Sequence, residues 1–369
     1  MIYPCERMNK LKIKIFGIGG GGGNILNTLI NYHRQLNFQL DNICFEYCAL
    51  NTDIISLKNS LAINKIQLGK NLTQGFGSGG KPEIGEEAAI ESEKEIREKI
   101  KNTDLLILIS CLGKGTGSGA TPKIAEWAKE ENILTLIMVV KPFNYEGNII
   151  NKIAKNSLEK IENFFSSIIV VSNTQIKNKL GNVRMEEAFS FINGMLAVGL
   201  TDLMKVIDNS HLIGIDFADI KNMINEKGRG LITYGEGEDE EKVCEALFNS
   251  PLFDNNIKYA KNLLLWVFGN EWVTLETVSR ICERISKKVN GNTKIQFTFL
   301  KDKKMSKKIR AGFFATGLFK EAIDEWEKDV ILEKLQEDKI EKALELPNPI
   351  KKEIDKNNMS LPTILRMLF

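Results

Sequence analysis

Three glycine-rich stretches, each lying where an apolar run ends or a helix begins, limit what this chain can fold into. Gly17–Asn24 follows the alternating run Lys12–Phe16 and precedes an apolar-periodic stretch from about Ile25. Gly75–Pro82 precedes the charged stretch Glu83–Lys101, and Pro82 suits the first turn of a helix there. Gly113–Gly119 follows Leu105–Ser110, a continuous apolar run of the kind found in a buried parallel strand, and precedes a helix predicted over Pro122–Glu131. Further strands are predicted at Ile43–Leu50, Lys65–Leu68, Ile133–Val140 and Ile168–Val171. Strand, glycine turn and helix in repetition read as a doubly wound α/β domain.

Glycine lets backbone N–H groups approach phosphate oxygens, and a following helix adds its positive end. The first loop fits GxGxxG in more than one register, which alone suits a dinucleotide enzyme or a tight structural turn. Asp53 lies rather far on for the ribose-binding acid of such an enzyme. The second loop fits GxxxxGK, but Pro82 stands where a Walker loop needs the magnesium-binding hydroxyl. What survives is a polar loop facing a phosphate, or a plain glycine-rich connection. The third loop adds hydroxyls at Thr116 and Ser118 and a cation at Lys114. A nicotinamide enzyme has no use for a second cradle there; a nucleotide di- or triphosphate gripped from several strand ends does.

From Met185 the pattern changes. Met185, Phe189, Ile192, Leu196, Leu200 and Leu203 recur at helical spacing, which predicts a long amphipathic helix buried between two domains. After Ile213 come a helix near Asp219–Asn225, a strand Leu263–Phe268, a helix Thr274–Val289 and strands Lys294–Leu300 and Ile309–Thr316. That order suggests a smaller mixed-sheet domain. From about Glu321 the chain is charged and uneven, and it ends in the apolar Ser360–Phe369. Net charge is +2, from 50 basic and 48 acidic residues, which argues against a nucleic-acid partner. The apolar runs are of strand length, short of the roughly 20 residues that span a bilayer, and the first ten residues lack a secretory h-region. Six cysteines without a CxxC pair, and only two histidines, disfavour a zinc site and suit a reduced cytoplasmic compartment.

In order along the chain, GIGGGGGN (Gly17–Asn24), LNTD (Leu50–Asp53), GSGGKPEIG (Gly77–Gly85), GKGTGSG (Gly113–Gly119), KPFNYEG (Lys141–Gly147), Ser172–Asn173, IDFAD (Ile215–Asp219) and ATG (Ala315–Gly317) resemble the segments of the FtsZ family, the bacterial cell-division relatives of tubulin. LPTILR (Leu361–Arg366) resembles that family's C-terminal partner-binding peptide. The resemblance implies a tubulin/FtsZ-like fold: a Rossmann-like parallel-sheet GTPase domain over 11–180, a central helix over 181–207 and a smaller α+β domain with a mixed sheet over 208–320. A charged linker (321–358) and a tail peptide (359–369) complete the division. It also implies GTP or GDP as ligand, with magnesium arriving on the nucleotide, and head-to-tail filaments at the division site in the cytoplasm. The tail would dock on a membrane-tethering division protein through Leu361, Pro362, Ile364 and Leu365, without direct membrane insertion.

By position, the resemblance assigns Asp216 and Asp219 to the water-positioning acids that complete the site of the next subunit. On residues alone the same pair reads equally well as the cap of a helix after Phe217. Gly20, Gly21 and Gly22 correspond to diphosphate contacts, with Asn24 near the ribose or base. Gly79, Gly80 and Lys81 face the γ-phosphate, and Gly113, Lys114, Gly115, Thr116 and Gly117 the phosphates. Glu146 and Asn173 correspond to sugar-side contacts, Phe189 to the ring stacked on guanine, and Asn193 to the guanine-reading aspartate. Departures are expected to affect rate and specificity more than fold. Lys114 replaces a glycine and would strain the turn if its φ were positive. Asn193 lacks the aspartate's charge, Ile150 replaces an arginine, Thr174 an aspartate, and Gly214 the asparagine that opens the acid loop. A polymerising GTPase is the first reading, a filament-forming protein with little hydrolysis the second, and an oxidoreductase a distant third.

Overall fold

The computed structural model describes residues 10–165, 167–208, 215–302, 305 and 307–318. The linker and tail peptide, and Gly214 of the acid loop, lie outside the described residues. β1 (Leu11–Ile18) runs straight into α1 (Gly19–Gln35), followed by β2 (Ile43–Asn51), α2 (Ile54–Lys58), β3 (Asn64–Gln67) and the single turn α3 (Lys70–Thr73). Next come α4 (Pro82–Glu91), α5 (Glu93–Ile100), β4 (Leu105–Cys111), α6 (Gly115–Glu130) and β5 (Thr135–Lys141). The first half closes with α7 (Asn148–Glu162), β6 (Ser167–Ser172) and α8 (Asn173–Leu180), and α9 (Met185–Asp208) leads out of it. The second half holds α10 (Phe217–Ile224), β7 (Gly228–Gly237), α11 (Glu240–Phe248), β8 (Asn262–Gly269), α12 (Leu275–Ser286), β9 (Lys294–Lys301) and β10 (Ile309–Leu318).

All ten strands form one sheet in the order β3-β2-β1-β4-β5-β6-β7-β10-β8-β9. From β3 to β7 every pairing is parallel; β10 runs antiparallel to both β7 and β8, and β8 pairs in parallel with β9. The mixed sheet of the second half is thus continuous with the parallel sheet, joined where Ser167–Ile169 pair with Gly228–Gly230. Chain order reverses at β1, and ligands of open α/β sheets bind outside the carboxyl ends of the strands at such a point. Both faces of the sheet are covered. Leu105, Ile107 and Ile109 of β4 join the core beneath α1 and α9, while Leu106 and Leu108 join the core beneath α4–α7.

Several elements differ from the sequence reading, each for a local reason. The predicted helix over Glu83–Lys101 is two helices. Ser92 breaks it by turning its hydroxyl toward the end of β3, where Oγ accepts from the Gly69 N–H at 3.0 Å. α1 begins at Gly19 instead of Ile25, and α6 at Gly115 instead of Pro122, so the glycines form first turns, not the loops before them. β7 was not anticipated, because its glycines hide the alternation. α9 is long and apolar enough to cross a membrane by length and composition, unlike the short apolar runs; 61% of its apolar window is buried in the fold, which marks it as a core helix. Cys48, Cys111, Cys244 and Cys282 are free thiols, whereas Cys44 is disulfide-bonded, contrary to a fully reduced set.

Candidate nucleotide site

The first turns of α1 and α6 meet at the carboxyl ends of β1 and β4. A Cβ on Gly19 would lie 3.1 Å from the Gly117 nitrogen. Neither helix has a side-chain N-cap: Ile18 and Lys114 occupy those positions, and neither first turn holds an acidic residue. Their leading N–H groups and dipole ends are left for an external anion. The glycines divide by purpose. Gly21 packs on Cys111, where an added Cβ would be 2.4 Å from Sγ, and Gly22 packs on the Ile109 carbonyl at 2.3 Å. Gly20 and Gly23 have nothing within 4 Å of an added Cβ, and so line open space. Cys111 lies beside this cradle, yet burial pushes its thiol up to about 12 and leaves it an inert packing group.

The second glycine loop is clamped against α6. An added Cβ on Gly115 would lie 2.2 Å from Ser78 Oγ, and one on Gly85 would lie 2.3 Å from the Gly115 carbonyl. Thr116 Oγ1 is within 2.7 Å of Thr52 Oγ1 and 3.2 Å of Ser78 Oγ, so three loops share one hydroxyl chain. Thr52 and Ser78 lie inside the LNTD and GSGG motifs, but nothing in their spacing foretold this link. Gly79 and Gly80, both with positive φ and open surroundings, leave the tip of this loop free, with Lys81 exposed beside them. Ser118 is not available to a phosphate. It is buried, and its Oγ accepts from the Gly113 N–H at 2.8 Å, which fixes the turn before α6.

Lys114 is not strained: its φ of −119° is extended backbone and its side chain is exposed. The demanding position is Gly113, at φ +107°, where a Cβ would lie 2.7 Å from Ile150 Cγ2. Ile150, in the place expected for an arginine, therefore packs on the turn. Gly113→Ala is expected to cost at least about 1–2 kcal/mol from backbone conformation alone, with crowding added. Lys114→Gly is expected to cost no more than about 1 kcal/mol. Denaturant unfolding of the two variants checks this order; equal losses would contradict it.

On the far side of the cradle, a 3₁₀ turn at Asn144–Glu146 faces α8 and α9. Glu146 Oε1 accepts from the Phe143 N–H at 2.9 Å, so one carboxylate oxygen holds the turn. Asn151 Nδ2 donates to the Gly147 carbonyl at 3.0 Å and braces the turn from below. Thr174, where an aspartate was expected, accepts from the Asn144 N–H through Oγ1 at 2.9 Å. It ties the turn to α8, a structural use that neither residue's type announced. Asn173 is buried at the start of α8, and its Oδ1 has no hydrogen-bond partner among the described residues. Phe189 meets Phe143 edge to face at 5.9 Å and is 39% exposed, so a ring face remains open to a base. Asn193 is half-buried one helical turn along α9, and Asn24 is exposed on α1. Asp53 caps α2 by accepting from the Ser56 N–H at 2.6 Å, and the Ser56 hydroxyl first, then this N–H, lower its pKa. This uses the carboxylate that a dinucleotide enzyme would need free.

Asp216 and Asp219 are elsewhere. They form a reciprocal cap on α10: Asp216 Oδ1 accepts from the Asp219 N–H at 2.9 Å, and Asp219 Oδ2 from the Asp216 N–H at 3.4 Å. Asp216 shares a cleft with Leu11, Lys12, Ile43 and Asp104, where β1 and β2 begin and the chain enters β4. The glycine cradle sits at the opposite ends of the same strands. β1 has eight residues, which at about 3.3 Å each separates the two groups by roughly 25 Å. The acids of one chain cannot reach the cradle of that chain.

The Tubulin/FtsZ family GTPase domain matches residues 12–181, and the FtsZ family C-terminal domain matches residues 228–319. The cell division protein FtsZ of Aquifex aeolicus is 33% identical over 367 residues, covering 98% of each chain. That of a Wolbachia species is 35% identical, covering 83% of this chain and 79% of its own. Among solved structures, an FtsZ dimer of Methanocaldococcus jannaschii superposes with a TM-score of 0.75 at 32% identity, covering 84% of this chain and 89% of that one.

Proposed function

The chain belongs to the Tubulin/FtsZ family and is an FtsZ-type cell-division GTPase that binds guanine nucleotide, and from that premise we propose that it hydrolyses GTP at a site built by two stacked copies of itself. The single observation that carries this is the separation of cradle and acids to opposite ends of one sheet. An uncapped pair of helix ends without acids cannot orient a water; a pair of acids without a cradle holds no substrate. A head-to-tail contact between copies joins them, and repetition of that contact builds an open filament.

Within this reading the triphosphate lies on the first turns of α1 and α6, against Gly20, Gly21, Gly22, Gly113, Gly115, Thr116 and Gly117. Gly79, Gly80 and Lys81 close over the γ-phosphate, and Lys114 adds a cation. The open surroundings of Gly20 suit a ligand of this kind. Asn173, Glu146 and Asn24 take the sugar side, while Phe189 and Asn193 take the base. Among the described residues no group of three or more His, Cys, Asp or Glu side chains is placed to hold a metal ion. Magnesium carried in on the triphosphate would supply charge neutralisation in the cradle. From the next copy, Asp216 and Asp219 orient the attacking water. Each also holds the other in place through the cap.

The remainder concerns where the filament works. We place it at the division site in the cytoplasm. The tail residues Leu361, Pro362, Ile364 and Leu365, outside the described residues, serve as the docking peptide for a membrane-tethering division protein. A chain truncated after Glu345 is expected to assemble normally and to lose that docking; loss of the folded body would contradict it.

Phosphate release from GTP, measured against protein concentration with light scattering on the same samples, tests the shared site. Both signals are expected to appear together above a critical concentration. Release proportional to protein at all concentrations would mean a complete site in each monomer and would end this reading. Scattering without release would leave the filament and remove the hydrolysis.

A further inference from the structure

We propose that Thr52 is a positioning residue for the nucleotide, whose buried hydroxyl directs Thr116 to turn its own proton toward a phosphate oxygen; this rests on the cradle reading above. Thr52 stands between β2 and α2 and is wholly buried, so it does not meet a ligand itself. Its Oγ1 lies 2.7 Å from Thr116 Oγ1, in the first turn of α6. Thr116 Oγ1 lies in turn 3.2 Å from Ser78 Oγ, on the second glycine loop. Among the described residues the three hydroxyls make no other hydrogen bond.

Three hydroxyls carry three protons, and two hydrogen bonds use two of them. Burial decides where the third is left. Were Thr116 to donate to Thr52, the Thr52 proton would sit in the core without an acceptor, at the desolvation cost of a buried donor. Thr52 therefore donates to Thr116. The spare proton then belongs to Thr116 or, where Thr116 donates onward, to Ser78. Thr116 is only half-buried, at a helix start whose N–H groups are uncapped. An ionised phosphate oxygen accepts and does not donate. Accepting from Thr116, it selects the one arrangement in which Thr52 and Ser78 both donate to Thr116 and every proton is used. Two donors onto one hydroxyl polarise it, and the bond it passes to the anion is charge-assisted.

The surroundings hold both neighbours of Thr116 in place. The Thr52 carbonyl lies 3.3 Å from Thr73 Oγ1, which is also 2.9 Å from the Gly69 carbonyl, so the backbone beneath Thr52 is pinned to the turn before α3. Ser78 Oγ lies 2.2 Å from where a Cβ on Gly115 would be, so only a glycine there lets the serine reach α6. Thr116 has no such wall on its ligand side. Its hydroxyl has three staggered positions to choose from, and the hydrogen bond from Thr52 selects one of them before any ligand arrives.

The test is a double-mutant cycle on GTP affinity, measured below the critical concentration for assembly, with melting temperatures on the same samples. Thr116→Ala removes the donor itself and is expected to weaken GTP binding about tenfold or more, the usual size for a hydrogen bond to a charged group. Thr52→Ala is expected to weaken it about threefold or more, while Thr52→Ser, which keeps the hydroxyl, stays within about twofold of wild type. In the double variant, Thr52→Ala adds nothing to the loss from Thr116→Ala, because the hydroxyl it directed is gone. A lower melting temperature with unchanged affinity overturns the proposal. So does Thr52→Ser as weak as Thr52→Ala, or losses that simply add in the double variant. Should Thr52→Ala fail to fold, Thr52→Val keeps the volume and takes its place in the cycle. Unchanged affinity in Thr116→Ala overturns the proposal and leaves the cradle on its remaining groups. Wild type that binds no GTP sinks the cradle reading itself.

Discussion

Asp216→Ala is expected to lower GTP turnover roughly 10²–10⁴-fold, the usual range for removing a group that manages the reacting water, while nucleotide affinity stays at the wild-type level. The two halves of this expectation follow from the roughly 25 Å between acid and cradle. The alanine variant also loses a helix cap, which costs about 0.5–2 kcal/mol, so a second variant is needed to separate the effects. Asp216→Asn keeps an acceptor for the Asp219 N–H and removes only the charge. If turnover is restored in Asp216→Asn, capping was the role and the shared site fails. Mixing supplies the stronger test. Gly20→Asp finds nothing within 4 Å of its Cβ, so it fits, and it places a carboxylate in the phosphate cradle. Each variant alone is expected to be inactive. Mixed in equal amounts, they form competent contacts wherever an intact cradle meets an intact acid, roughly a quarter of head-to-tail pairings if assembly is random. Phosphate release in the mixture, absent from both components, identifies a site made by two chains.

Acid is expected to unfold the protein through His33. This imidazole is 4% exposed, and burial holds it down to about 3. Nε2 faces Thr201 Oγ1, whose own proton is donated to the Ala197 carbonyl at 2.6 Å. Nε2 is thus the protonated nitrogen and Nδ1 accepts from the Tyr47 hydroxyl. Protonating Nδ1 forfeits the hydrogen bond from Tyr47 and places a charge in a buried site. The ordinary histidine value is about 6.5, so between pH 6.5 and 3 the unfolded chain binds a proton that the folded chain refuses. Stability is full above pH 6.5 and falls as pH drops, by about 1.4 kcal/mol per unit and about 5 kcal/mol over the window. Asp202 acts in the opposite sense. Burial pushes its carboxyl up to about 6, so the folded chain takes up a proton below pH 6 that the unfolded chain accepts only near 3.8. The Arg310 contact at 3.0 Å opposes that shift. Urea unfolding of Asp202→Asn between pH 6.5 and 4 is expected to show the His33 slope alone. His33→Gln is expected to remove it. A slope that survives in His33→Gln would assign it to other groups.

The sequence foretold the parallel half of the fold because its strands are buried on both faces and read as unbroken apolar runs. Leu105–Ser110 is the plainest case, with side chains alternating between two cores. Helix starts were harder. Gly19–Gly23 and Gly115–Gly119 have poor helix propensity, yet tertiary packing on Cys111, Ile109 and Ser78 makes them first turns. The break at Ser92 depends on β3, a partner distant in sequence. The candidate site was legible only as motifs strung along the chain. Their placement at opposite ends was invisible, since spacing along a chain carries no direction across a sheet. Ser118 shows the same limit: a hydroxyl in a phosphate loop looks like a ligand contact until its partner is seen.

The antipodal placement of cradle and acids has an arithmetic consequence. On the proposed shared site, a filament of n subunits contains n − 1 complete sites. One terminal subunit carries a nucleotide that nothing in the filament cleaves, and the other presents acids with nothing to act on. Catalytic output per subunit therefore rises with length, steeply among the shortest oligomers and hardly at all in long ones. The two ends of every filament differ in chemical age: one keeps its last-loaded nucleotide until another copy arrives. The filament therefore has a clock that starts only when the next subunit lands.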